Sequence, residues 1–314
     1  MEITLLGTGS EFPRPDRPLT AGVLRVDSAL YLLDCGEGTL LRWAEARLNL
    51  GGLRVVALTH NHPAQLLGLP GLLARRGQLA DAGPLTIVGP EGAQELLVPL
   101  LVGLGVRLSF ELRFVVLSGP APGKKKPLPV AYQDDHLELR WLPVDHSVPS
   151  VGYRLVERPR PGKFSPQAAR ARGIAPGPDF GKLQAGHGVT APDGSTVQPD
   201  EVVGPPRPGR ELAWISDTAP CPSLYRLLAD VDLAVLGGGH LPDHQALATS
   251  KGQLTLHDAA RICGRSKVRR ALFTQLSPRL APERLAEADA LAAEHGEGYR
   301  CGRDGERLVI EGAG

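Results

Sequence analysis

"ALTHNHPAQLLGLPGLL", residues 57–73, decides how this chain reads. The apolar run Val55 to Leu58 is short and reads as a buried strand, placed at 54–58. Thr59-His60-Asn61-His62 then reads as the loop at the C-terminal end of that strand, and Pro63 opens a helix. Two His one residue apart on such a loop can turn both imidazoles toward one cation. Where a second cation would need an acid and another imidazole, the chain has Ala64 and Gln65. The stretch offers half of a two-metal site, or no metal site at all.

Outward from it, strand-like and helical runs alternate. "EITLLG", "GVLRVD" and "ALYLLD" read as consecutive strands, and "EGTLLRWAEARL" has apolar residues at helical spacing. Further strands are expected at 85–88, 109–117, 137–143, 151–156, 211–215, 232–236 and 270–274. Helices are expected at 91–101, 256–263 and 281–295. Groups of strands with helices between them predict a layered α/β sandwich with outer helices. The chain has 314 residues, 42% of them hydrophobic, enough for one large domain with a sizeable core. No apolar run approaches the length of a membrane span, and the strand-like start carries no signal-peptide pattern, so the expected location is the cytoplasm. Cys35, Cys221, Cys263 and Cys301 are widely spaced and read as reduced thiols. "GTGSEF" at 7–12 is no dinucleotide fingerprint, because Phe12 stands where a third Gly is needed. With a net charge of +1, any nucleic-acid surface must be local.

Two segments interrupt this rhythm. Residues 118–129, "SGPAPGKKKPLP", read as a solvated surface loop. Residues 157–187 form a long basic excursion with Arg158, Arg160, Lys163, Arg170, Arg172 and Lys182 against Asp179. A loop this long inside a compact domain is usually functional or disordered, and an expected short helix at 165–172 and the "GIAPGP" turn favour function.

"LLGTGSEFP", "LLDCGEGT", "THNHPAQLLGLPGLL", "DHSVPSVGYRL", "GIAPGPDFGKL", "ISDTAP", "GQLT" and "TQLSPRL" follow one another as in a known family. In these motifs the chain resembles the tRNase Z branch of the metallo-β-lactamase fold, nearly end to end. The resemblance implies a four-layer αβ/βα sandwich with the metals at one edge, and a single domain over 1–314 with 157–187 as an inserted exosite arm that grips tRNA. It also implies a homodimer, in which one subunit's arm serves the other's site.

Carried over residue by residue, the resemblance gives an intact first metal site, His60, His62, His146 and Asp217, and a dismantled second one. The second site's acid is Ala64, its first His is Gln65 and its last His is Gln275, with only Asp217 shared. The loop His of acid–base catalysis is Gln253, and the Glu that steadies it is Gly237. An amide oxygen is a weak ligand for zinc, which prefers imidazole, thiolate or carboxylate. The expected cofactor is therefore one zinc per chain, or none. No catalytic residue is assigned, Asp217 being the one candidate. If Asp217 closes a tetrahedral shell the metal is structural; if it swings away, a site for water opens; or the four residues are relics held by hydrogen bonds, with Gln65 and Gln275 bonded where a metal once sat. His240 and His244 are candidates to rescue the second site, and Asp34 a candidate to fix an imidazole tautomer. Clustered Arg and Lys on the arm suit phosphate contact.

The expected function is a tRNase Z-like protein of tRNA 3′-end processing, a metal-dependent endoribonuclease whose activity is weak or lost. The alternatives are a non-catalytic tRNA-binding homologue or partner of an active tRNase Z, and a hydrolase of small phosphoesters. The expected partner is tRNA or a tRNA precursor, with no membrane.

Overall fold

A computed structural model describes residues 1–123 and 125–312; Lys124 of the lysine run lies outside the described residues. In chain order the first half contains β1 (Glu2–Gly7), β2 (Ala21–Val26), β3 (Ala29–Leu33), α1 (Thr39–Glu45), β4 (Leu53–Ala57), α2 (Pro63–Leu66), α3 (Leu69–Arg76), β5 (Leu85–Pro90), α4 (Ala93–Gly103) and β6 (Leu112–Leu117). Then follow β7 (Val130–Gln133), β8 (Leu137–Val144), β9 (Ser150–Glu157), α5 (Pro166–Ala171), α6 (Pro178–Gln184), β10 (Val189–Thr190) and β11 (Thr196–Val197). The chain ends with β12 (Glu211–Ile215), α7 (Pro222–Leu228), β13 (Leu233–Gly237), α8 (Gln245–Ser250), α9 (Leu256–Arg265), β14 (Arg270–Thr274), α10 (Leu285–Ala293), β15 (Tyr299–Cys301) and β16 (Arg307–Val309).

The described residues divide into two units, 1–157 with 210–311, and 158–209 with Gly312. In the first unit two seven-stranded sheets run in the orders β16-β1-β2-β3-β4-β5-β6 and β15-β14-β13-β12-β9-β8-β7. Each sheet joins an antiparallel part to a parallel part: β3 to β6 are parallel in one, β12 to β15 in the other. Parallel strands are covered on both faces, and β4 and β5 are accordingly apolar along almost their whole length. Between the sheets, Leu33, Val55 and Val88 of the first pack with Tyr153, Trp214 and Val235 of the second. Outside the first sheet α1, α3 and α4 contribute Trp43, Leu72, Leu73 and Leu97 to a second core. Outside the second sheet α7, α9 and α10 contribute Leu227, Ile262 and Ala292 to a third. This is the four-layer αβ/βα sandwich expected from the resemblance.

The expected strands at 211–215 and 270–274 are found as β12 and β14. The expected helix after Pro63 is two short helices, α2 and α3. The strand expected from 109 begins at Leu112, where pairing with β5 starts at Leu85. Gly7 and Gly9 of "GTGSEF" serve packing, not phosphate: a Cβ on Gly7 would stand 2.2 Å from the Leu19 carbonyl oxygen.

The second unit has its own small core, in which Ala169, Ile174, Leu183, Val189, Val197 and Val202 pack with Phe164 and Phe180. The basic run of 158–187 lies in this unit, which continues through the β10–β11 hairpin to Gly209. Ser165 caps α5 by accepting from the Ala168 N–H at 3.1 Å, with Pro166 in the first turn.

Candidate metal centre

The loops that carry His60, His62, Asp217 and Gln275 leave the C-terminal ends of strands in the parallel parts of the sheets, the usual place for a site. His146 comes from a turn between antiparallel strands. His60 and His62 follow β4. Pro63 restricts His62 to an extended backbone, at φ −68° and ψ 151°, before the chain turns into α2. Asn61 donates to the Glu91 carbonyl at 2.7 Å and pins the loop. His146 sits in the turn between β8 and β9, and that turn is laced to the first sheet. The Val151 N–H donates to the Thr59 carbonyl at 2.9 Å, and the Tyr153 hydroxyl to the Leu58 carbonyl at 2.6 Å. Asp217 follows β12, His240 follows β13 and Gln275 follows β14.

His60, His62 and His146 come together, with one ligand nitrogen of each within 4.8 Å of the others. Their rings stand edge to face at centroid distances of 4.8, 5.1 and 5.2 Å. The Nε2 atoms of His60 and His146 are buried and have no hydrogen-bond partner among the described residues. Burial depresses all three imidazoles below the ordinary histidine value, most for His60, with the neighbouring imidazoles adding to the effect at His60 and His62. They are therefore neutral ligand bases at neutral pH. The donor set fits zinc. Asp217 stands at the edge of this trio, its Oδ2 3.9 Å from His60 Nε2, too long for a hydrogen bond. One ion at about 2.0–2.2 Å from each could meet both atoms. Burial, and next the nearby Glu11 charge, push the Asp217 carboxyl up to about 7, while a hydrogen bond from Gln253 and the Lys251 charge pull it back.

Asp34 reaches a tautomer at one remove, through Thr59. Its Oδ1 accepts from the Thr59 N–H at 2.8 Å and from the Thr59 hydroxyl at 2.9 Å, and its Oδ2 from the Trp214 indole at 2.9 Å. Thr59 Oγ1 lies 3.1 Å from His60 Nδ1. With its own proton given to Asp34, that oxygen can only accept from Nδ1–H, which leaves the Nε2 lone pair for the trio's centre. His146 is oriented the same way, its Nδ1 3.0 Å from the Gly252 carbonyl. Thr59 and Gly252 carried no signal in the sequence beyond their neighbours.

At the second site Ala64 is buried and offers no ligand. Gln65 and Gln275 are 1% and 3% exposed, and both amide oxygens lack partners among the described residues. Gln275 donates to Ser216 Oγ at 2.6 Å and keeps a left-handed backbone, φ 56°. A relic held wholly by hydrogen bonds would leave neither oxygen bare. His240 does not rescue this site. Its Nε2 is 2.8 Å from Gln253 Oε1, and His244 lies beside Asp243. At Gly237, a Cβ would fall 2.5 Å from the Ser216 carbonyl oxygen, so no Glu fits on this backbone.

A cavity of about 470 Å³ opens over the trio, lined among others by His62, Ala64, Gln65, His146, Asp217 and Gln253. In the second unit, Lys163 and Arg170 are exposed, while Lys182 pairs with Asp179 at 2.8 Å and Arg172 with Glu201. Arg158 and Arg160 are half-buried at the start of the unit, the Arg160 backbone bridging Arg207. Glu201 lies beyond the basic run, so its pairing was not legible there.

No family model matches the chain. It is 37% identical over 305 residues to a protein named Ribonuclease Z from Salinibacter ruber, covering 96% of this chain and 93% of the relative. It is 35% identical over 279 residues to Ribonuclease Z from Methanosarcina mazei, covering 89% and 88%. The fold matches the crystal structure of human tRNase Z, short form, with a TM-score of 0.70 at 19% identity, covering 99% of this chain and 100% of that one.

Proposed function

Because the chain belongs to the ribonuclease Z family, we propose that it binds tRNA precursors, holds at most one zinc per chain and cleaves RNA weakly or not at all. One observation carries this reading. One buried and two half-buried imidazoles converge with two bare Nε2 atoms, while Ala64, Gln65 and Gln275 stand where a second ion would need its ligands. The single zinc would be held by His60, His62, His146 and, on its movement inward, Asp217. It supplies Lewis-acid polarisation of a phosphodiester oxygen when bound. The protein's part is to keep the imidazoles neutral by burial and to aim them through Thr59 and the Gly252 carbonyl. It lacks what else cleavage needs. Ala64 has no carboxylate to take a proton from water, and the Gln253 amide, held between His240 and Asp217, cannot give one to the leaving oxygen.

The exposed Lys163 and Arg170 support phosphate contact by the second unit. Homodimer assembly and a cytoplasmic location complete the proposal; among the described residues no helix is long and apolar enough to cross a membrane. A non-catalytic tRNA-binding homologue is the second reading, favoured by Gly237, where no Glu can return to steady an acid–base residue. The test runs side by side with an intact family enzyme on a tRNA precursor and on a small phosphodiester. Cleavage of the precursor is expected at least about 10³-fold slower than by that enzyme, from loss of proton transfer and of one cation. Ordinary family rates would overturn the proposal, no detectable cleavage with retained tRNA binding would select the second reading, and preference for the small diester would point to a different substrate.

A further inference from the structure

The cavity over the histidine trio has lost the ligands of one cation, and it is not left without positive charge. Lys251, at the C-terminal end of α8, is the one Lys or Arg among its described lining residues. Its ammonium contacts the carboxylate of Glu11, which lies after β1 and also lines the cavity. The two side chains are 35% and 30% exposed, shielded enough for charge to matter and open enough for a ligand to exchange. Glu11 is held at φ 59°, in the left-handed region a glutamate rarely adopts. Lys251 is placed with equal care. The next residue, Gly252, turns at φ 61° and uses its carbonyl to hold His146, and the residue after it, Gln253, accepts from His240. The lysine stem is thus registered to the trio through its own backbone. The charges of both Lys251 and Glu11 are felt, with opposite signs, by Asp217.

We infer that Lys251 is the phosphate-binding cation of this cavity and Glu11 its latch: a phosphodiester entering beside the trio takes the ammonium from the Glu11 carboxylate. This rests on the reading of the site as one for RNA phosphodiesters. An ammonium is a compact charge with three donors and suits a non-bridging phosphate oxygen. A phosphodiester brings a negative charge toward Asp217 and Glu11, so an unlatched cation decides whether it stays. The latch keeps the resting cavity near neutral and makes Glu11 a competitor of the ligand.

The probe is a fluorescein-labelled RNA tetranucleotide, titrated by anisotropy against the full zinc-supplied chain at fixed low salt, with a labelled tRNA precursor in parallel. Lys251→Met is expected to weaken tetranucleotide binding about tenfold, the worth of a charge-assisted hydrogen bond. Glu11→Gln is expected to tighten it about threefold, the worth of a part-exposed ion pair released. The double variant should bind like Lys251→Met, and Lys251→Arg should retain most of the affinity. Thermal melts and zinc content check that each variant is folded and loaded, and Glu11→Gln carries the test if Lys251→Met is not. Parent-like binding by Lys251→Met, or weaker binding by Glu11→Gln, overturns the inference. If the tRNA precursor still binds the parent in that case, the functional reading stands without it. If the parent binds neither probe, both fall.

Discussion

Thr59→Val removes one oxygen and little else. The side chain is 1% exposed, so an isosteric valine keeps the packing while deleting two contacts, at 2.9 Å to Asp34 and 3.1 Å to His60. A net hydrogen bond to a charged group contributes about 1.5–3 kcal/mol. The lower end applies, because Asp34 keeps the Thr59 N–H and the Trp214 indole and burial raises its own pKa to about 7. The metal-free protein should therefore lose about 1.5 kcal/mol. Zinc affinity should fall further, since loss of the group that orients a ligating histidine typically costs 10–100-fold, or about 1.4–2.8 kcal/mol. At a free zinc concentration above both dissociation constants, the stabilisation conferred by zinc shrinks by the same amount. Melts with and without zinc, and zinc competition against a chromogenic chelator, read the two effects separately. Thr59→Ser keeps the hydroxyl and should behave like the parent. A Thr59→Val protein that binds zinc within about twofold of the parent would refute the relay from Asp34 to His60.

Metal analysis by mass spectrometry should find at most one zinc per chain, lost in His62→Ala and unchanged in Gln275→Ala; two tightly held ions would sink the single-site reading. Replacing Lys163 and Arg170 by Ala should lower the log–log salt slope of tRNA binding by about 1.4–1.8, at roughly 0.7–0.9 per phosphate contact. An unchanged slope would return these residues to a plain surface role. Glu157, the residue before the second unit, is partly desolvated, yet the Arg210 guanidinium at 2.7 Å holds its carboxyl below the usual value of 4.5. A lowered folded pKa stabilises above that usual value and the stability is lost as pH falls through the folded one. Melts across pH 3 to 6 should thus show Glu157→Gln less stable than the parent at the upper end, with the gap closing in acid. A gap constant across that range would refute it.

The layered fold was legible because β4 and β5 are short, mostly apolar runs and β12 and β14 are bounded by polar turns. β15 and β16, three residues each, are too short to show alternation and exist through pairing with β14 and β1. The trio was legible from His60, His62 and the resemblance that placed His146. Its orientation was not, because Thr59 acts through one hydroxyl and Gly252 through a carbonyl that every residue possesses. Glu11 and Lys251 are 240 positions apart, and only the closure of the sandwich makes them neighbours.

The three imidazoles belong to opposite halves of the sandwich, His60 and His62 to the sheet of β4, His146 to that of β8 and β9. An ion shared among them would be a staple across the seam between the sheets. Its removal would then let the halves part more often and shorten the folded lifetime seen by a protease. That would give the three histidines a use that does not depend on catalysis.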